Sequence, residues 1–133
     1  NLYRVFNALP LPPGLVLQDP NAWSAFRICT RRGVVVQNRD KAFAYSLGTE
    51  TLLEWYRRYQ TVTDAFSRGE TALLQAAATY HTRIIVGRRC DLVNDTLTTH
   101  RYEVPGEGCI YVINEPPSTL RADQPASLPF PNG

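Results

Sequence analysis

Arg39, Asp40 and Lys41 stand together in this chain, and Arg88 and Arg89 form a second charged run. Each group follows a short apolar run that reads as a strand, so the two could converge on one edge of a sheet. Planar guanidinium forks and a lysine ammonium suit phosphate oxygens, which makes the set a candidate anion site for a lipid phosphate or a sugar phosphate. A structural reading stands beside it: Asp40 pairs with Lys41 or Arg89 and holds a long turn. Asp40 with Asp19 is the one carboxylate pair placed for acid–base work, at strand ends where open α/β sheets bind ligands. Solvated loop ends would carry the same residues.

Other chemistry finds less support. The turn after the first apolar run is Gln18-Asp19-Pro20-Asn21, without the glycines a dinucleotide pyrophosphate needs. No G-x-S-x-G elbow occurs. Cys29 or Cys90 with His81 or His100 could make a thiol–imidazole pair, but such pairs arise by chance at this composition. No histidine has a partner at zinc-ligand spacing, so neither a metal nor a cofactor is expected. Cys90 and Cys109 flank an expected hairpin and are the better pair for a disulfide, but the reading favoured from the sequence is three free, partly buried thiols. The net charge of +2 is too small to argue for nucleic acid. Lys41 is the only lysine.

A second set is aromatic: Phe43, Tyr45, Trp55 and Tyr59, joined by Tyr56 and by Arg58. Core packing would absorb part of it. The remainder would make a contact surface for another protein, or a platform for a sugar.

The elements that position these residues follow from periodicity. Leu2, Val5, Phe6 and Leu9 have helical spacing, ended by Pro10, Pro12 and Pro13. Leu15, Val16 and Leu17 read as a buried strand stopped at Asp19-Pro20. Residues 22–31 read as a short helix. Val34, Val35 and Val36 are β-branched and favour a strand. Residues 37–48 read as an ordered loop pinned by its aromatics. Thr49 is placed to cap the next helix, on which Glu54 and Arg58 are spaced for an ion pair on the solvent side. Ser67 and Glu70 fit a capping box opening a further helix to about Tyr80. Ile84 to Val86 form a third apolar strand, and residues 99–114 read as a hairpin around Pro105–Gly108. Residues 115–133 hold five prolines and read as an extended tail or linker.

The fold class is therefore α/β. A small three-layer domain over residues 1–114 is expected, with a mainly parallel sheet flanked by helices, a C-terminal antiparallel hairpin and the Pro-rich tail at 115–133. The expected core is Leu15, Leu17, Val34, Val36, Leu53, Tyr56, Leu74, Ala77, Ile84, Val86 and Tyr111. No apolar run approaches the ~20 residues of a membrane span. The chain has no methionine, which leads us to expect an excised or processed piece.

The order of these motifs resembles a known family. LYRVFNAL, the strand LVLQDP, Phe26-Arg27, the valine strand, Asp40-Lys41 with Phe43, and EWYRR at 54–58 look like the soluble C-terminal extracytoplasmic domain of bacterial polytopic membrane proteins related to GT-C glycosyltransferases. AAATYHTRIIV and CIYVIN resemble the later part of such domains. The first turn departs from the pattern, having Leu9-Pro10-Leu11-Pro12 where Asn-Thr-Pro would be expected. The resemblance implies a non-enzymatic domain on the extracytoplasmic, periplasmic face of a bacterial membrane. It would dock on a membrane-embedded portion or a partner membrane protein. The alternative is a small enzyme or binding domain for a phosphorylated or glycosylated, lipid-linked substrate. The resemblance implies no catalytic residue in this chain.

Overall fold

Four short strands carry the architecture of residues 1–114, the residues described by the computed structural model. The chain opens with helix α1 (Leu2–Ala8), capped by the Asn1 side chain, which accepts from the Arg4 amide. Strand β1 (Val16–Gln18) follows, then the short helix α2 (Phe26–Thr30). A 3-10 turn at Asn38–Asp40 leads into α3 (Lys41–Ser46) and the 20-residue α4 (Thr49–Arg68). Helix α5 (Glu70–Thr79) returns the chain to β2 (Ile84–Gly87), and the hairpin β3 (Thr98–Val104) and β4 (Gly108–Ile113) completes the sheet.

The strand order is β1-β2-β4-β3. β1 pairs parallel with β2, whereas β2–β4 and β4–β3 are antiparallel. The sheet is thus mixed, where a mainly parallel one was expected. The difference has two causes. The expected valine strand shrinks to one parallel bridge, Val16 with Val34. The hairpin, moreover, inserts β4 beside β2, so half of the sheet is its doing.

Side chains alternate across the sheet, and each face has its own core. Leu17, Ile85, Tyr111 and Ile113 pack with Trp55, Val62, Leu73 and Ala77 of α4 and α5. Val16, Ile84, Val86 and Ile110 pack with Leu2, Phe6 and Phe26 of α1 and α2. Phe6 and Phe26 meet edge to face at 5.0 Å between ring centres, a favoured aromatic geometry. Helices therefore cover both faces. None of those described is long and apolar enough to cross a membrane.

Other boundaries also moved. Residues 41–46, expected as loop, are helical. Gly48 rather than Thr49 precedes α4, and Ser67 lies inside α4 instead of capping α5. The break falls at Gly69, whose φ of 115° is open to glycine and strained for other residues. Glu70, freed from a capping box, accepts from the Asn94 amide. Leu53 and Tyr56, expected in the core, are exposed. The Pro-rich tail expected at 115–133 lies outside the described residues.

Candidate functional site

The corner where the Asn38–Asp40 turn, α3 and α4 meet gathers most of the residues singled out above. Its position is set by a buried polar network. The Asn38 amide donates to the Pro20 carbonyl, at 3.1 Å, and the Arg27 amide donates to Gln37 Oε1, also at 3.1 Å. Arg27 Nη1 donates to Asp40 Oδ1 at 2.7 Å, and both side chains are buried. The Trp55 indole N–H donates to the Gln37 carbonyl at 2.8 Å. Asp40 thus pairs with Arg27, where Lys41 or Arg89 had been expected. It ties the turn to α2, a partner that sequence spacing did not disclose.

The same network pulls α4 into register. Trp55, Arg58, Val62 and Ala65 point inward at helical spacing. Trp55 is 2% exposed and Arg58 4%, so neither belongs to the contact surface expected of them. Arg58 does bond Glu54, at 2.9 Å, but from inside; it also donates to the Val35 carbonyl and lies over the Tyr80 ring at 5.2 Å. Burial raises the Tyr80 hydroxyl pKa above its ordinary value, and the Arg58 charge works against that rise. Tyr59 stacks on Trp55 at 5.0 Å and donates to Asn21 Oδ1, so it belongs partly to the anchor.

Some of what faces outward at this corner is apolar. Tyr45 is 73% exposed, Leu53 56% and Tyr56 50%, with Phe43 and Leu47 exposed beside them. Two open grooves run between α3 and α4. One, of about 510 Å³, is lined by Asn38, Arg39, Lys41, Ala42, Tyr45 and Leu52. The other, of about 380 Å³, shares Asn38, Lys41 and Leu52 and adds Leu53, Trp55, Tyr56 and Tyr59. A larger groove of about 760 Å³ between α4 and α5 is rimmed by Gln60, Asp64, Ser67, Arg68, Gln75 and Thr79, a polar wall in which Arg68 pairs with Asp64.

Of the five candidate anion-binding residues, Arg39 and Lys41 line the first groove. Arg88 donates to the Ala22 carbonyl at 2.8 Å and lies over the Trp23 ring. Arg89 forks onto Asp91 through two bonds, at 2.9 and 2.8 Å. That pairing lowers the Asp91 pKa and raises that of Arg89. Asp19 accepts from the Asn21 amide in its own turn.

The remaining reactive groups are dispersed. Cys90 and Cys109 are joined in a disulfide, with Cα atoms 5.2 Å apart. The Glu103 carboxylate lies beside them, but sulfurs bonded to each other offer no thiolate to a metal. Cys29 is exposed on α2. His100 stacks on Tyr102 along the β3 strand, and His81 sits at φ 54° after α5. Tyr111 closes the region around the disulfide: its hydroxyl donates to the Arg89 carbonyl and accepts from the Leu92 amide.

Sequence reasoning offered Phe43, Tyr45 and Tyr56 for a contact surface, with Tyr56 also counted in the core, and missed Leu47 and Leu53. The signal lay in α4 itself. A face drawn through Trp55, Val62 and Ala65 leaves Leu53 and Tyr56 on the far side. Compared with protein-family models, curated proteins and solved structures, the chain matches none.

Proposed function

We propose that this chain is a non-enzymatic docking domain on the extracytoplasmic side of a bacterial membrane, holding a membrane-embedded portion or partner subunit through the α3–α4 face. The observation that carries this reading is the set of exposed apolar side chains at this corner: Tyr45, Leu53 and Tyr56 line two open grooves, and Phe43 and Leu47 are exposed on and just after α3. Contiguous exposed apolar surface on a folded unit marks interaction sites, and aromatic residues are enriched at the centres of interfaces. The Cys90–Cys109 disulfide favours an oxidising compartment, in keeping with the location that the motif order suggests.

The test is capture from detergent-solubilised membranes with the purified chain, beside a Tyr45→Ser, Leu53→Ser, Tyr56→Ser variant. Recovery of one membrane protein by the first and its loss with the second is expected. Equal recovery by both, or none by either, overturns the reading.

Arg39 and Lys41 beside Tyr45 favour a second reading, a binding site for a phosphorylated or glycosylated ligand. It predicts that sugar phosphates shift the Tyr45 and Lys41 signals in NMR spectra, and that Arg39→Gln with Lys41→Gln abolishes the shift.

A further inference from the structure

Among the described residues, three groups able to ligate a metal come together at one place, the Cys90–Cys109 disulfide. The two sulfurs and a carboxylate oxygen of Glu103 lie within 4.8 Å of one another. Strand register brings two of them together. Glu103 stands directly opposite Cys109 across the β3–β4 ladder, and opposed residues of an antiparallel pair project from the same face. Cys90 arrives from the loop after β2, its Cα 5.2 Å from that of Cys109. Among the described residues nothing bonds to or pairs with the Glu103 carboxylate. We propose that reduction of this disulfide opens a site for a zinc-class divalent cation, held by Cys90 Sγ, Cys109 Sγ and the Glu103 carboxylate. None of the side chains of the α3–α4 face takes part.

The chemistry balances with a dithiol as reductant. Two electrons and two protons pass to the cysteines, the S–S bond breaks to give two thiols, and the dithiol closes to its own disulfide. Binding the cation then releases both thiol protons to solvent. Two thiolates with one carboxylate suit zinc and reject magnesium or calcium, which take oxygen donors. Tetrahedral zinc, with bonds of about 2.3 Å to sulfur and 2.0–2.2 Å to oxygen, sets its donors roughly 3.5–3.8 Å apart. Side-chain rotation supplies that separation once the sulfurs are unbonded. Three protein ligands leave a fourth position, and the exposed Glu103 beside the half-buried Cys90 leaves it open to water. The loop that carries Cys90 is held by bonds that reduction leaves intact. Arg101 Nη1 donates to the Cys90 carbonyl at 3.0 Å. The Tyr111 hydroxyl donates to the Arg89 carbonyl at 2.7 Å and accepts from the Leu92 amide at 3.1 Å. Cys90 is therefore kept opposite Cys109 from both sides along the chain.

The experiment uses the full chain with Cys29→Ser, which removes the exposed third thiol. The chain is reduced with dithiothreitol, freed of it without air, and titrated with Co2+ and then Zn2+. One cobalt ion per chain is expected, with thiolate-to-metal charge-transfer absorption and the strong visible bands of tetrahedral coordination, both lost as zinc displaces it. The oxidised chain should show neither. Glu103→Gln, a substitution at an exposed position, should weaken the cobalt affinity of the reduced chain by at least the ~10-fold that loss of a group supporting a metal ligand costs. Amide NMR spectra of the zinc-loaded reduced chain should keep the native signals of β2, β3 and β4. No uptake, equal uptake by the oxidised chain, or an unchanged affinity in Glu103→Gln overturns the proposal. So does zinc uptake by a chain that has lost its sheet signals, because unfolded cysteines bind metal without this site.

Discussion

Residues 39–59 build two regions of opposite character within one short stretch of chain. Inside lie Asp40 and Arg58, with Arg27 brought in from α2, around the Trp55 indole. Outside lie Phe43, Tyr45, Leu47, Leu53 and Tyr56. A domain governed by burial alone would reverse this, because desolvating a charge is costly and exposing an aromatic ring gains nothing. The inner charges are tolerated because each is paired or bonded to backbone, and what they hold is a turn. The difference teaches that charge in this stretch serves architecture, while the apolar side chains it pushes outward are left for contact.

The strongest way to break that comparison is to remove one inner charge. Arg27→Ala leaves the buried Asp40 carboxylate without its guanidinium, and should cost about 3–5 kcal/mol in urea unfolding. Arg27→Met with Asp40→Leu should recover most of the loss, because a desolvated pair exchanged for packed apolar groups is often neutral. A single variant that loses under ~1 kcal/mol would mean that solvent reaches the pair and that the inner region is not a dry anchor. Trp55→Ala should fall close behind, at about 3–5 kcal/mol, from lost packing and the orphaned Gln37 carbonyl.

Much of this fold was legible in the chain, and the exceptions have physical causes. Ile84–Val86 and the Pro105–Gly108 hairpin were readable because β-branched runs and a turn between two strands act locally. Val34–Val36 gave the same local signal, yet formed one bridge, because a run of β-branched residues says how it can pair but not which neighbour the tertiary fold brings to it. The Arg27–Asp40 pair was hidden for a different reason. Each residue is unremarkable alone, and only the tertiary placement of α2 against the turn brings them together. For α4 the pattern was ambiguous: Leu52, Leu53, Trp55 and Tyr56 are all apolar, and either face could have turned in. The indole bond to Gln37 and the Arg58 bond to Val35 decide it.

The Cys90–Cys109 bridge supplies a scale that belongs to neither region. Its separation of 19 residues predicts a loss of roughly 3 kcal/mol for Cys90→Ser, measured by denaturant midpoint. Capture by the α3–α4 face should survive that change in conditions where the variant stays folded.

Alkaline titration probes the inner region more gently. Burial raises the Tyr80 and Tyr111 hydroxyls above 10.0 in the fold, so the folded state holds their protons more tightly than the unfolded chain. Their contribution is fully present below about pH 10 and is lost as pH rises through the folded values. The thermal midpoint should therefore fall above pH 10, and Tyr80→Phe should make that fall shallower. An unchanged slope in the variant would mean that Tyr80 meets solvent at the Arg58 end.

The smallest stability effect is expected where the functional effect is largest. Tyr45→Ser, Leu53→Ser and Tyr56→Ser remove side chains that stand mostly in solvent, and each should change stability by no more than ~0.5 kcal/mol. The Tyr56 hydroxyl accepts from the Gln60 amide on the helix surface, a bond that water replaces. Paired with Trp55→Ala one position away, Tyr56→Ser turns the comparison into a single measurement: adjacent residues on one helix, one holding the fold and the other dispensable to it. If Tyr56→Ser instead destabilises by 2 kcal/mol or more, as a buried aromatic would, something already covers that ring in the folded chain.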